Sequence, residues 1–164
     1  TGRMAELFAD QASRVVALDK SLEMLRVARA KLQNLPADRV ELVQGDFLSL
    51  PFEGGSFDTV LLHQVLHYAP DPLVPLREAA RVLRPDGRIA IVDFAAHQHE
   101  ELRERFQHAR LGFEDAHIAG ALEQTGFAPA QPVALEGEAL VVKIWVAHRS
   151  GPLGRSHAKR RAIS

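Results

Sequence analysis

The chain has 164 residues, of which 46% are apolar and 25% charged, a length and balance that suit one domain with a substantial core. Its 20 Lys and Arg against 21 Asp and Glu leave no charge excess to draw the body to nucleic acid or to a membrane surface. Cysteine is absent, which excludes disulfides, thiolate zinc sites and cysteine nucleophiles.

Thr1-Gly2 lead into Arg3 to Ala9, where Met4, Leu7 and Phe8 recur at helical spacing. Arg14 to Asp19 reads as a short β-branched strand ending on a carboxylate. Ser21 stands where a helix would be capped, and Leu25, Ala28, Leu32 and Leu35 form one stripe that Pro36 stops. Val40 to Val43 is a second strand, closed by Gln44-Gly45-Asp46 before an irregular stretch rich in Pro, Gly and Ser. Phe57 to Leu62 is the third. Asp71-Pro72 supplies an N-cap and first-turn pair for a helix with Leu73, Leu76, Ala80 and Leu83 facing inward and Pro75 in its first turn. Pro85-Asp86-Gly87 ends that helix in a turn.

Arg88 to Phe94 is nearly continuous in apolar residues, as expected of a strand covered on both faces. Beyond it, Glu100 to Arg110 and Asp115 to Thr125 have helical patterns. Phe127 to Leu135 and Leu140 to His148 read as strands joined through Glu136-Gly137-Glu138 into an antiparallel hairpin. Strands alternating with amphipathic helices imply a parallel sheet, because each parallel connection must cross over the sheet. The predicted fold is an α/β sandwich, mostly parallel, with an antiparallel hairpin at its C-terminal edge. That hairpin separates it from the all-parallel half of a nicotinamide dehydrogenase.

Gly45 to Val60 resembles the segment between the third and fourth strands of small-molecule class I, S-adenosylmethionine-dependent methyltransferases of the type 11 group. Val16 to Asp19 resembles the acidic end of their second strand, and Leu83 to Arg88 the turn before their fifth. The resemblance covers residues 1–149 and leaves 150–164 as a basic tail expected to be disordered. A narrower similarity, carried by Asp93 to His97 and His108 to Phe113, is to bacterial methyltransferase domains that follow an ArsR-like winged-helix domain. The parent chain is therefore expected to have room for such an N-terminal partner. The family opens with a strand and an Asp/Glu-x-Gly-x-Gly-x-Gly loop, of which Thr1-Gly2 would be the end. The expectation is a Rossmann-like domain lacking its first, central strand, and hence a fragment.

The resemblance implies S-adenosylmethionine as methyl donor, with Gly2, Asp19, Lys20, Asp46, Phe47 and His63 around it. Strand ends in an open α/β sheet are where ligands bind, and Asp19 follows Gly2 by seventeen residues, near the spacing of a ribose acid after a glycine loop. In the family Asp19 accepts the ribose hydroxyls, Asp46 or its backbone holds the adenine amino group, Phe47 covers the ring, and the strand end at His63 meets the methionine part. Other readings stand beside these: Asp19 as a helix-start charge, Asp46 as a turn former, Phe47 as core.

In-line methyl transfer demands positioning above all, and a base only for acceptors that must lose a proton. His67, Tyr68, His97 and His108 are the candidates for such contacts, with packing duty as the alternative for each. His97, His99 and His108 are imidazoles that could ligate a metal, but no acidic ligand completes a site and no metal is expected.

Without cysteine, arsenite and 5-cytosine are poor acceptors. Leu62 to Tyr68 holds no Asn/Asp-Pro-Pro-aromatic run of the kind used by exocyclic-amine DNA methyltransferases. The predicted function is methyl transfer to a small molecule; the alternative is a domain of an ArsR-like regulator that senses S-adenosylmethionine or S-adenosylhomocysteine. A nicotinamide oxidoreductase is a third reading. No run of about 18 apolar residues and no signal peptide is present, so the expected compartment is the cytoplasm, with no membrane and no nucleic-acid partner.

Overall fold

The structure, a computed structural model, describes residues 2–36, 38–98, 109–135 and 140–150. The predicted helix from Glu100, the hairpin joint Glu136-Gly137-Glu138, His99, His108 and nearly all of the basic tail lie outside the described residues. The chain forms two compact units, Thr1–Glu53 and Gly54–Ser164.

The first unit runs α1 (Arg3–Phe8), β1 (Val15–Asp19), α2 (Leu22–Lys31) and β2 (Val40–Gln44). β1 and β2 pair in parallel, from Val15 opposite Val40 to Asp19 opposite Gln44. α2 starts where predicted because the Ser21 hydroxyl accepts a hydrogen bond from the Met24 N–H at 3.3 Å. It ends at Lys31 and not at Leu35, and the Leu35 N–H bonds the Leu32 carbonyl in a turn beyond it. The buried face of α1 also differs from the apolar pattern. Ala5 and Ala9 are buried while Leu7 and Phe8 are exposed. Gly2, at φ +75°, brings the start of α1 so close to α2 that a Cβ there would lie 3.1 Å from the Ala28 Cα, and only small side chains fit that seam.

The second unit comprises β3 (Phe57–His63), a 3-10 turn (Leu66–Tyr68), α3 (Leu73–Val82), β4 (Leu83–Phe94), α4 (Asp115–Gln124), β5 (Phe127–Pro129), β6 (Val133–Leu135) and β7 (Val142–Arg149). Its sheet has the order β3-β4-β7-β5, with β6 also paired to β7. β3 and β4 are parallel; β7 runs antiparallel to β4, β5 and β6. The fold class is therefore the expected one, parallel α/β pairing followed by an antiparallel C-terminal edge. The first strand of the expected hairpin is broken into β5 and β6.

Two boundaries shift. Pro72 occupies the cap position of α3, and Asp71 caps from one residue earlier by accepting the Leu73 N–H at 2.9 Å. β4 begins at Leu83, so the predicted Pro85-Asp86-Gly87 turn is absorbed as a bulged entry: Asp86 has φ +64° and the register to β3 slips between Phe57 and Thr59. From there Ile89, Ile91 and Asp93 are fully buried while Ala90, Val92 and Phe94 are half-buried. Leu76, Leu83, Ile89, Ile91, Ile118 and Leu122 form the centre of the core. Each such side chain contributes about 1.5–3 kcal/mol on burial.

α4 is tied to β7 through Asp115, which accepts from Lys143 Nζ at 2.6 Å and from Trp145 Nε1 at 2.9 Å. The Lys143 hydrogen bond in particular holds the Asp115 carboxyl below its ordinary value of 3.8, against a smaller opposing effect of burial. A carboxyl with a depressed folded-state pKa stabilises the fold above its unfolded value, and that contribution fades as pH falls through the folded one. Asp115→Asn is therefore expected to lower the melting temperature at neutral pH, with the gap from the parent narrowing as pH drops below 3.8. Melting curves across that range check it; a gap that widens on acidification would contradict the assignment.

Candidate functional site

In the first unit the ends of β1 and β2 bring together Asp19, Lys20, Asp46 and Phe47, four of the six expected cofactor residues. Asp19 closes β1, and its backbone carbonyl accepts the Gly45 N–H at 3.1 Å. Its Oδ1 accepts the Ser21 N–H at 2.8 Å, so Asp19 does begin the following helix. The other oxygen has no partner among the described residues, and the side chain is half-buried at a strand's carboxyl end. One acceptor oxygen is thus held in place by the N–H of Ser21, the cap of α2, while the second is left for a ligand's hydroxyl donors.

Asp46 is more fully engaged. Oδ1 accepts the Leu48 N–H at 2.9 Å and Oδ2 accepts Lys20 Nζ at 3.3 Å. The Leu48 N–H is the main cause of its carboxyl lying below the usual range, with burial opposing and Lys20 assisting. Asp46 therefore shapes the turn it sits in, with Lys20 drawn beside it. Phe47 is half-buried next to it. The structure gives Gly2 a packing role against α2.

In the second unit the parallel pair β3–β4 ends in a polar cluster. His63, the last residue of β3, is half-buried and opposite Val92. Gln64 follows at φ +50°, a left-handed conformation uncommon for a non-glycine residue, and its N–H bonds the Val92 carbonyl at 2.7 Å. The chain then folds into the 3-10 turn over Asp93.

Asp93 is 0% exposed and His67 only 2%. The Asp93 carboxyl accepts from His67 Nδ1 at 2.7 Å, from the Leu66 and His67 N–H groups at 3.0 and 3.2 Å, and from the Phe94 N–H at 2.8 Å. A carboxyl surrounded by backbone donors acts as an acceptor, which assigns the Nδ1 proton of His67 to the Asp93 bond. The imidazole ring lies 4.2 Å from Tyr68 and 5.3 Å from Phe94, centroid to centroid. Of the candidate contact residues, then, His67 is a buried, oriented group, Tyr68 is exposed beside it, and His97 is half-buried in an edge-on contact with Phe94.

Residues 109–113 return over this end of the sheet. The Arg110 N–H bonds the His67 carbonyl at 3.1 Å, Arg110 Nη2 bonds the Pro70 carbonyl at 3.0 Å, and the His97 N–H bonds the Leu111 carbonyl at 3.0 Å. Gly112, at φ +75°, permits that approach: a Cβ there would lie 2.1 Å from the Ala95 carbonyl oxygen. Two cavities open here. One of about 540 Å³ has Pro70, His97, Gln98, Arg110 and Gly112 in its wall. The other, of about 300 Å³, includes Asp71, Arg110, His117 and Gln124. Both sizes are within or at the edge of the range of small-molecule sites.

Asp93 and Arg110 are the two residues that sequence reasoning did not assign to the site. For Asp93 a signal existed, since an acid inside the buried run from Ile89 to Phe94 must find donors. For Arg110 there was none, because nothing local ties it to Pro70. Among the described residues no group of three or more His, Asp or Glu is arranged to hold a metal ion, and no helix is long and apolar enough to cross a membrane.

Comparison with known proteins gives these geometries a context. A family of sequences described as a methyltransferase domain matches residues 1–91, more than half of the chain. A demethylmenaquinone methyltransferase of Lactococcus lactis is 42% identical over 80 residues, covering 49% of this chain and 32% of that protein. The chain thus spans about a third of the length of such curated relatives. Among solved structures, a methyltransferase-like protein of Bacillus halodurans superposes with a TM-score of 0.78 at 21% identity, covering 91% of this chain and 88% of that one. One from Haloferax volcanii, solved with the Trm112 methyltransferase activator, gives 0.79 at 22% identity over 91% of this chain and 78% of the other. At such identities the superpositions speak for the fold alone.

Proposed function

The chain belongs to the methyltransferase domain family and has its class I α/β fold, and on that premise we propose that it transfers a methyl group from S-adenosylmethionine to a small molecule. The observation that carries the proposal is Asp19: a half-buried carboxylate at the carboxyl end of β1, fixed through one oxygen by the Ser21 N–H, with the other oxygen open to hydroxyl donors. That arrangement fits the ribose of a nucleoside, and the paired strand end beside it holds the rest of the proposed adenosine contacts. Phe47 supplies an apolar surface for the adenine ring. The turn built by Asp46 and Lys20 presents backbone and side-chain polar groups to its edge.

When bound, S-adenosylmethionine supplies an electrophilic methyl group on a sulfonium. What the chain must add is orientation of an acceptor, since correct placement can remove about 7–11 kcal/mol of the barrier to such a transfer. His67 is positioned by Asp93, and its buried ring next to the exposed Tyr68 makes it an orienting group for the turn that carries both. The acceptor is not carried over from the relatives. The family match ends at residue 91, before His97 and Arg110, and a quinone precursor in a relative's name is a property of that protein.

Calorimetric titration of the full chain with S-adenosylhomocysteine tests the proposal, followed by transfer of labelled methyl to trial acceptors. Saturable binding with transfer supports it. Binding without transfer to any acceptor would instead favour a sensing domain, and a folded chain that does not bind would sink both.

A further inference from the structure

We infer that the cavity walled by Arg110 and His97 is the acceptor pocket and that it takes a small molecule bearing an anionic group, a carboxylate or a phosphate ester; the inference rests on the methyl-transfer reading for its purpose but not for its chemistry. Arg110 is half-buried, and its side chain makes one described hydrogen bond, to the Pro70 carbonyl at 3.0 Å. Its Nε is buried with no hydrogen-bond partner. No carboxylate pairs with it among the described residues, whereas Arg14, Arg81 and Arg84 each meet an acid. A guanidinium kept partly out of water with no counter-charge among the described residues is an unfavourable arrangement, and an arriving anion relieves it.

The cation is also held still. Its backbone N–H is bonded to the His67 carbonyl and its Nη2 to the Pro70 carbonyl, so both ends of the residue are fixed to the segment that carries the Asp93–His67 pair. A donor already ordered loses less freedom on binding, and the planar fork of Arg suits carboxylate and phosphate oxygens. The larger cavity, of about 540 Å³, has only neutral or cationic side chains in its described wall, with Gln98 able to hydrogen-bond an acceptor's other polar atoms. The smaller one includes Asp71, which would repel an anion. The larger cavity also lies beyond the carboxyl ends of β3 and β4, between Pro70 and His97, at the end of the sheet where α/β proteins bind ligands.

The test uses nitrogen-labelled full chain and three probes built on one phenyl ring: benzoate, its neutral isostere benzamide, and phenyl phosphate. Benzoate or phenyl phosphate is expected to shift the Gly112 and His97 amide resonances saturably, and benzamide to bind at least about tenfold more weakly. The tighter of the two anions decides between a carboxylate and a phosphate ester. Arg110→Gln is expected to lose at least about tenfold in anion affinity and nothing for benzamide, with Arg110→Lys in between. Equal binding of benzamide and the anions, unchanged anion affinity in Arg110→Gln, or no binding by any probe would overturn the inference. If Arg110→Gln does not fold, the charged-against-neutral comparison on the parent and the Arg110→Lys variant decide it. S-adenosylhomocysteine is titrated in parallel. Its binding with the anions excluded overturns only the pocket, and anion binding without it overturns only the methyl-transfer reading.

Discussion

Asp93→Ala is expected to destabilise the second unit by about 3–5 kcal/mol, the usual cost of removing one partner from a buried polar pair. Four donors depend on this one carboxyl: His67 Nδ1 and the N–H groups of Leu66, His67 and Phe94. With Asp93 and His67 both nearly inaccessible to solvent, no water replaces the lost acceptor without opening the core. In a unit of this size the melting temperature should fall by about 10 °C or more. Asp93→Asn should be milder, about 1–3 kcal/mol, because an amide oxygen in the Oδ2 position still accepts the Leu66 and His67 N–H groups while its NH₂ can donate to a His67 ring that has moved its proton to Nε2, only the Phe94 N–H losing its acceptor. Urea unfolding of the parent, both Asp93 variants, His67→Ala and the double variant measures the coupling directly. A loss under about 1 kcal/mol for Asp93→Ala would show that the pair is not the pin of the 3-10 turn.

Asp19→Ala is expected to weaken S-adenosylhomocysteine binding by about ten- to a hundredfold, since each hydrogen bond from a ribose hydroxyl to a charged acceptor contributes about 1.5–3 kcal/mol and 1.4 kcal/mol is tenfold. Because Asp19 Oδ1 also accepts the Ser21 N–H, the alanine variant conflates binding with the start of α2. Asp19→Asn separates them. Its amide oxygen can keep the Ser21 bond, so thermal stability should stay near the parent's while affinity still falls, the charge and one acceptor site having been lost. Calorimetry and melting curves on all three proteins read both effects. An Asp19→Asn variant that binds as tightly as the parent would remove the ribose assignment and leave Asp19 as a helix-start residue.

Much of this was legible in the chain itself, for a physical reason that particular elements make plain. Ser21 ahead of a stripe at Leu25, Ala28 and Leu32 specifies α2, because cap and periodicity are set by neighbours within a few residues. The β-branched run ending at Asp19 and the apolar run from Arg88 specify strands, and their alternation with helices specifies parallel pairing and so puts the candidate site residues at strand ends. The resemblance of Gly45 to Val60 and its neighbours added the family, which the match over residues 1–91 bears out.

Tertiary structure decided what each candidate does with its polar atoms. Asp46 spends both oxygens within its own turn and on Lys20, whereas Asp19 keeps one open, and no local pattern distinguishes two acids at two strand ends. In sequence His67 is one histidine of a short loop, and only Asp93, 26 residues away, holds it in the core. Arg110 meets the Pro70 carbonyl from 40 residues away, and Gly112 is required by an approach to Ala95 that only the folded chain makes. Sequence fixes short-range choices, where a few dihedrals and one periodicity suffice. Partnership of buried charges is set by which distant segments the core brings within about 3 Å of one another, and that is information held by packing alone.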